Sequence, residues 1–87
     1  MRILQHNRLV DITGFHSAYV NGQKLIISYP LTPSGRQPYP DEFVFSSKEN
    51  AESALERINE YCRTDRTVEF VDGPGGKFVA CAYPFTE

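Results

Sequence analysis

Cysteine is scarce in this sequence, and so is every other mark of a specialised chemistry. Only Cys62 and Cys81 occur among 87 residues. Secreted domains that depend on disulfides carry more. Two thiols packed as small apolar groups, or one Cys62–Cys81 bridge, both fit the count. The bridge requires the helix end and the last strand to lie side by side. Histidine is equally scarce, with His6 and His16 alone. Their spacing from the cysteines matches no zinc-ligand pattern, since structural sites show at least one close pair. The sequence therefore predicts no metal and no cofactor. No apolar run nears the roughly 18–20 residues that a membrane helix needs. The opening residues, MRILQHNRLV, carry a cation but lack the apolar run of a signal peptide. The expectation is a cytoplasmic protein without a membrane partner.

An excess of charge is lacking too. Nine Lys and Arg against eleven Asp and Glu give a net charge of −2 and a pI near 5.6. That removes any global attraction to nucleic acid or anionic membrane, while leaving room for a local basic patch. Apolar content of 40% and charged content of 23% lie in the globular range and argue against disorder. A chain of this length buries roughly 60–65% of its unfolded surface, enough for one modest core. One domain over 1–87 is the expectation.

What is present reads as short strands and one helix. RILQHNRLVDI places apolar residues around a polar centre, predicting a strand, a turn near His6 and Asn7, and a second extended piece. FHSAYV continues extended to Val20. Asn21-Gly22 follows, the strongest short hairpin signal, because both residues tolerate the positive φ of a type I′ turn. KLIISY and, after a loop over 29–41, EFVFS resume strand patterning. The period then changes. Ala51, Ala54, Leu55, Ile58 and Cys62 recur at three and four, one apolar stripe on a helix over about 47–63. Ser46 with Glu49 fits a capping box, and Ser47 is the alternative cap. TVEFVD and KFVACAY predict a C-terminal hairpin over about 67–83, turning at GPGG, with Pro84 and the last residues leaving the sheet. The predicted fold is α+β: an antiparallel β-sheet in β-β-β-β-α-β-β order with one amphipathic helix packed on one face.

Residues from about Ile3 to Cys62 resemble a loosely defined group of short bacterial β-meander-plus-helix proteins of unknown function. NRLVDITGFHSAYVNGQKLIIS and FVFSSKENAESALERI carry the likeness. The resemblance implies a curved meander followed by one helix. It transfers no functional residue. The Pro-rich loop and the hairpin after the helix depart from the group.

No catalytic set emerges. Cys–His chemistry needs a thiolate beside a base, and no local signature supplies one. GPGGK lacks the spacing, the following Ser or Thr and the helix of a phosphate-binding loop. Glu49, Glu52, Glu56 and Glu60 point outward if Leu55 and Ile58 point inward. The stretch YPLTPSGRQPYP is more informative, because a hairpin needs only two to five residues there. Its prolines limit the entropy lost on ordering. Tyr29, Tyr39 and Arg36 are residue types favoured at binding hot spots. Glu52, Glu56 and Glu60, at i, i+4 and i+8, would complement a basic partner. A non-enzymatic protein-interaction module is the expected function: an adaptor, regulator or inhibitor. It would bind a protein through Tyr29, Arg36, Tyr39, Glu52, Glu56 and Glu60, with an adjacent sheet edge. The alternative is a nucleic-acid-binding accessory protein using Arg63, Arg66, Lys77 and exposed aromatics. An unpaired sheet edge would allow either a monomer or a homodimer.

Overall fold

The computed structural model describes residues 1–72 and 78–84. Its first turn is made by two non-glycine residues with positive φ, His6 at 51° and Asn7 at 63°. Positive φ at both central positions defines the type I′ hairpin turn, whose twist matches that of paired strands. It joins β1 (Arg2–Gln5) to β2 (Arg8–Asp11), with Gln5 facing Arg8. The sequence pointed to Asn21-Gly22 for this turn type, and the structure corrects that. Asn21 is the last residue of β3 (Ser17–Asn21) and faces Lys24, the first of β4 (Lys24–Ser28). The loop is therefore Gly22-Gln23, and of the two only Gly22 has positive φ, at 64°. That is the type II′ pattern, with glycine at its first central position.

The chain does not run extended from β2 into β3. Asp11 accepts hydrogen bonds from the Thr13 amide at 2.9 Å and the Thr13 hydroxyl at 2.6 Å. The Phe15 amide donates to the Ile12 carbonyl at 3.1 Å, and Gly14 between them has a φ of 78°. A type II turn demands that conformation at its third residue, where glycine has no Cβ to clash. The turn sends β3 away from β1 and β2 into a second sheet. The α+β class and the helix hold as expected, but the seven strands among the described residues divide between two sheets. The first has the order β2-β1-β6-β7, where β6 is Arg66–Val71 and β7 is Val79–Pro84. The second has the order β3-β4-β5, where β5 is Asp41–Val44. Every pairing is antiparallel except β1 with β6, which run parallel with Ile3 opposite Val68. Pro84 stays in β7 opposite Arg66 rather than leaving the sheet. A strand end on a sheet edge tolerates the missing donor of proline. The expected GPGG turn and the last three residues lie outside the described residues.

One core fills the space between the two sheets and the helix α1 (Lys48–Tyr61). The first sheet contributes Ile3, Val68 and Phe70, the second Leu25, Ile27 and Phe43, and Phe45 follows just past β5. Helix α1 lies across β3 and β4 and adds Ala51, Ala54 and Ile58. The two alanines let the helix backbone approach the sheet closely. Phe45, Phe70 and Phe78 form a cluster with ring centroids 5.6–5.9 Å apart, edge-on or tilted. That geometry suits aromatic quadrupoles and clamps the end of β5 to the first sheet. Cys62 and Cys81 are separate free thiols, each half-buried.

The helix starts on Ser47, the second of the two caps the sequence allowed. Its backbone is extended, and its hydroxyl accepts from the Asn50 amide at 3.1 Å. Ser46 is occupied elsewhere, by Asp72. Replacing Ser47 with Ala is expected to lower stability by about 1 kcal/mol, the usual value of such a cap. Ile58→Ala should cost more, about 2–4 kcal/mol, because Ile58 is 1% exposed and its loss leaves a cavity. Urea unfolding of the two variants checks both values, and the helical circular dichroism of S47A should fray first.

Candidate functional site

Asp72, just past the end of β6, is buried and charged. Its carboxylate accepts from the Ser46 amide, from the Ser46 hydroxyl at 2.6 Å and from the Asn50 side-chain amide at 2.7 Å. Burial alone would raise its pKa. The hydrogen bonds from Ser46 and Asn50 outweigh burial and hold the carboxyl below the ordinary value. One residue just past the first sheet thus ties down both the link after β5 and the first turn of α1.

Beside it, two side chains from the first hairpin cover the outer edge of β5. Gln5 donates to the Val44 carbonyl at 3.1 Å, and Arg8 donates to the Glu42 carbonyl at 3.0 Å. Arg8 also pairs with Asp41 at 3.0 Å and lies 5.1 Å from the centroid of the Phe43 ring. A groove of about 750 Å³ opens here among Gln5, His6, Arg8, Ser46 and Asp72. Most of its polar groups already bind atoms of the chain itself. It is a seam between the two sheets.

The opposite edge of the second sheet is built differently. In a hairpin closed by a two-residue turn, the flanking pair Asn21–Lys24 exchanges its backbone bonds, and Tyr19–Ile26 is the next such pair. Ala18 and Val20 therefore direct N–H and C=O outward from β3. The same alternation, carried across β4, turns the Glu42 and Val44 carbonyls outward from β5, where Arg8 and Gln5 meet them. Among the described residues, no hydrogen bond reaches the main chain of Ala18 or Val20 on that side. Alongside this bare edge runs a groove of about 530 Å³ between β3 and α1. Phe15, Ala18, Leu55, Ile58 and Cys62 give it an apolar floor, with Glu56 and Asn59 on the helix side. The Cys62 thiol donates to the Asn59 carbonyl at 3.7 Å.

The Pro-rich loop lies at the start of the same edge. A hollow lined by His16, Ser28, Tyr29, Pro30, Leu31 and Gln37 forms its base, one residue from Phe15 and Ser17 of the groove. The loop folds back on itself. The Thr32 amide donates to the Arg36 carbonyl at 2.9 Å, and the Gly35 amide to the Thr32 carbonyl at 2.8 Å. The Gln37 side chain returns to the Tyr29 carbonyl at 3.2 Å. Arg36 is exposed and Tyr39 is 95% exposed. Tyr29 differs from both. Its ring packs against the core, and its hydroxyl donates to Asp41. Burial first, and that hydrogen bond second, push its phenol above the ordinary tyrosine value.

Of the acidic stripe, Glu56 reaches the groove, Glu52 stands one turn before it, and both are exposed. Glu60 pairs with Arg57 at 2.8 Å. The basic set is less coherent. Arg63 is exposed, Arg66 sits 6.0 Å from the Tyr61 ring centroid, and Lys77 lies outside the described residues. Phe43, Phe45 and Phe70 are buried in the core, where no base can stack on them. Among the described residues, no three metal-ligating side chains gather. No helix of the described residues is long and apolar enough to cross a membrane. The groove itself escaped sequence reading, because Ala18 and Val20 look like any strand residues until the edge they occupy is known. Comparison with family models, with curated proteins and with solved structures returned no match.

Asp72 generates a pH test. A depressed folded pKa contributes stability that is present above the unfolded value, 3.8, and is lost as pH falls through the folded value. Asp72→Asn should cost about 2 kcal/mol at neutral pH, since it breaks charge-assisted bonds in a buried site. It should also flatten the acid limb of stability between about pH 5 and pH 2. Urea titrations across that range, on both proteins, measure the two effects together.

Proposed function

We propose that this protein is a non-enzymatic protein-interaction module that captures an extended segment of a partner along β3. One observation carries the reading. The second sheet has two edges, and among the described residues only that of β5 is covered, by Gln5 and Arg8, while that of β3 lies bare beside an apolar groove. Bare edges invite pairing with other chains, and small proteins usually blunt them. An edge with a helix-walled groove beside it meets the needs of strand addition. Main-chain bonds supply affinity, and alternate side chains enter the groove. Arg36 and Tyr39, at the loop end of the edge, extend the contact surface. Adaptor, regulator and inhibitor roles all fit such a module, and the partner's identity would decide among them.

The test uses a displayed library of random peptides, selected against the full chain and mapped by amide chemical shifts. Binders should move the amides of Ala18 and Val20. Ala18→Pro removes an outward N–H, which an edge strand tolerates. It should weaken binding about tenfold or more while far-ultraviolet circular dichroism stays native. Arg36→Ala with Tyr39→Ala should also leave the fold intact and weaken capture. Undiminished binding to natively folded A18P would overturn the reading.

A further inference from the structure

The rim of the groove adds a chemical preference to the edge. Glu56 lines it, and Glu52 stands one turn away on the same helix. Neither carboxylate has an ion pair among the described residues, whereas Glu60 is held by Arg57. The floor is apolar, from Phe15, Ala18, Leu55 and Ile58. A strand added to β3 presents alternate side chains to this floor and the remainder to the opposite face, beside Tyr19. On the floor side aliphatic side chains bury best. At the position abreast of Glu56, a long basic side chain lays its stem along the apolar floor and carries its charge to the carboxylates.

We infer that the occupant of the β3–α1 groove is an extended basic segment of a partner protein. It has aliphatic residues at alternate positions and a lysine or arginine at the inward position facing Glu52 and Glu56. The inference rests on the strand-addition reading above and adds the partner's chemistry to it. Main-chain pairing comes from Ala18 and Val20, and selectivity from charge. Carboxylates at the rim discriminate by repelling acids as much as by attracting bases. A second copy of this chain fits poorly. Two-fold pairing of β3 with its copy brings the two α1 helices together on one side, with Glu52 and Glu56 of each facing the other.

The experiment uses two synthetic pools of capped peptides, each about eight residues long, a reach of roughly 26 Å. Val and Leu alternate with Thr in both, and a single Lys is scanned through the alternate positions in one pool, a single Glu in the other. Binding to the full chain is read by fluorescence anisotropy and by the amide shifts of Ala18 and Val20. The Lys pool should bind about tenfold more tightly than the Glu pool. Glu52→Gln with Glu56→Gln should erase that preference and leave a common, weaker affinity. Both carboxylates are exposed, so this variant folds as the parent does. Ala18→Pro should abolish binding of both pools. If the pools bind equally and A18P abolishes both, the basic-partner inference falls and the interaction module stands. If neither pool binds, or A18P changes nothing, both readings fall. Dimerisation of the chain at the concentrations used, blocked by A18P, would instead name a second copy as the occupant and overturn the inference.

Discussion

The arrangement depends on Asp72. Away from the Gln5 and Arg8 contacts to β5, the two sheets meet through apolar contact, and apolar contact alone does not fix angles. At Asp72, three donors from Ser46 and Asn50 converge on one buried charge at the end of β6. The same serine lies in the short link between β5 and α1, and the same asparagine occupies the first turn of α1. The carboxylate therefore ties the end of β6 to the β5–α1 link and to the first turn of the helix. The phenylalanine cluster of Phe45, Phe70 and Phe78 closes the adjoining space. The hydrogen bonds specify an orientation, and the rings supply the burial that makes it stable.

That orientation decides which edge of the second sheet stays uncovered among the described residues. Anchoring β6 to the start of α1 brings the first hairpin against β5, where Gln5 and Arg8 take up two outward carbonyls. The helix leaves in the other direction and crosses β4 and β3. It packs on β3 and β4 and leaves a groove between itself and β3. The groove is thus a by-product of where the helix had to begin. Its acidic rim follows from the helix period, since a stripe that buries Ala51, Ala54 and Ile58 turns Glu52 and Glu56 toward solvent.

Much of this was legible from residue order. The helix, its Ser47 cap as one of two choices, the His6-Asn7 turn and the strand segments are local features, set by periodicity and turn chemistry. What escaped reading is non-local. The parallel pairing of β1 with β6 joins Ile3 to Val68, and no local pattern announces it. The turn at Gly14 has no strong local mark, because ITGF interrupts two extended stretches without a proline or an Asn-Gly pair. Reading through it merges two sheets into one. Asn21-Gly22 marks the right hairpin, but the strand runs one residue further and the turn is of the other primed type. Of the expected contact residues, Arg36, Tyr39, Glu52, Glu56 and Glu60 are exposed, Glu60 in an ion pair with Arg57, while Tyr29 is half-buried and bonded to Asp41. Ala18 and Val20, whose backbone matters most at the edge, carry no side-chain signal at all.

An uncovered edge is also a hazard, and the same carboxylates bear on it. Self-association through β3 would be the easiest pairing to form, because every molecule offers the same five-residue strand. Its cost lies on the helix side, where two copies would bring four glutamates into one narrow space. Each like-charge contact is modest at an exposed site, but the contacts add and all oppose the same geometry. A basic partner segment reverses their sign and meets no such barrier. The edge can therefore remain open without being indiscriminate. In the proposed mode of capture, discrimination against its own kind and preference for a basic segment follow from one charge placement, imposed by the period of a single helix.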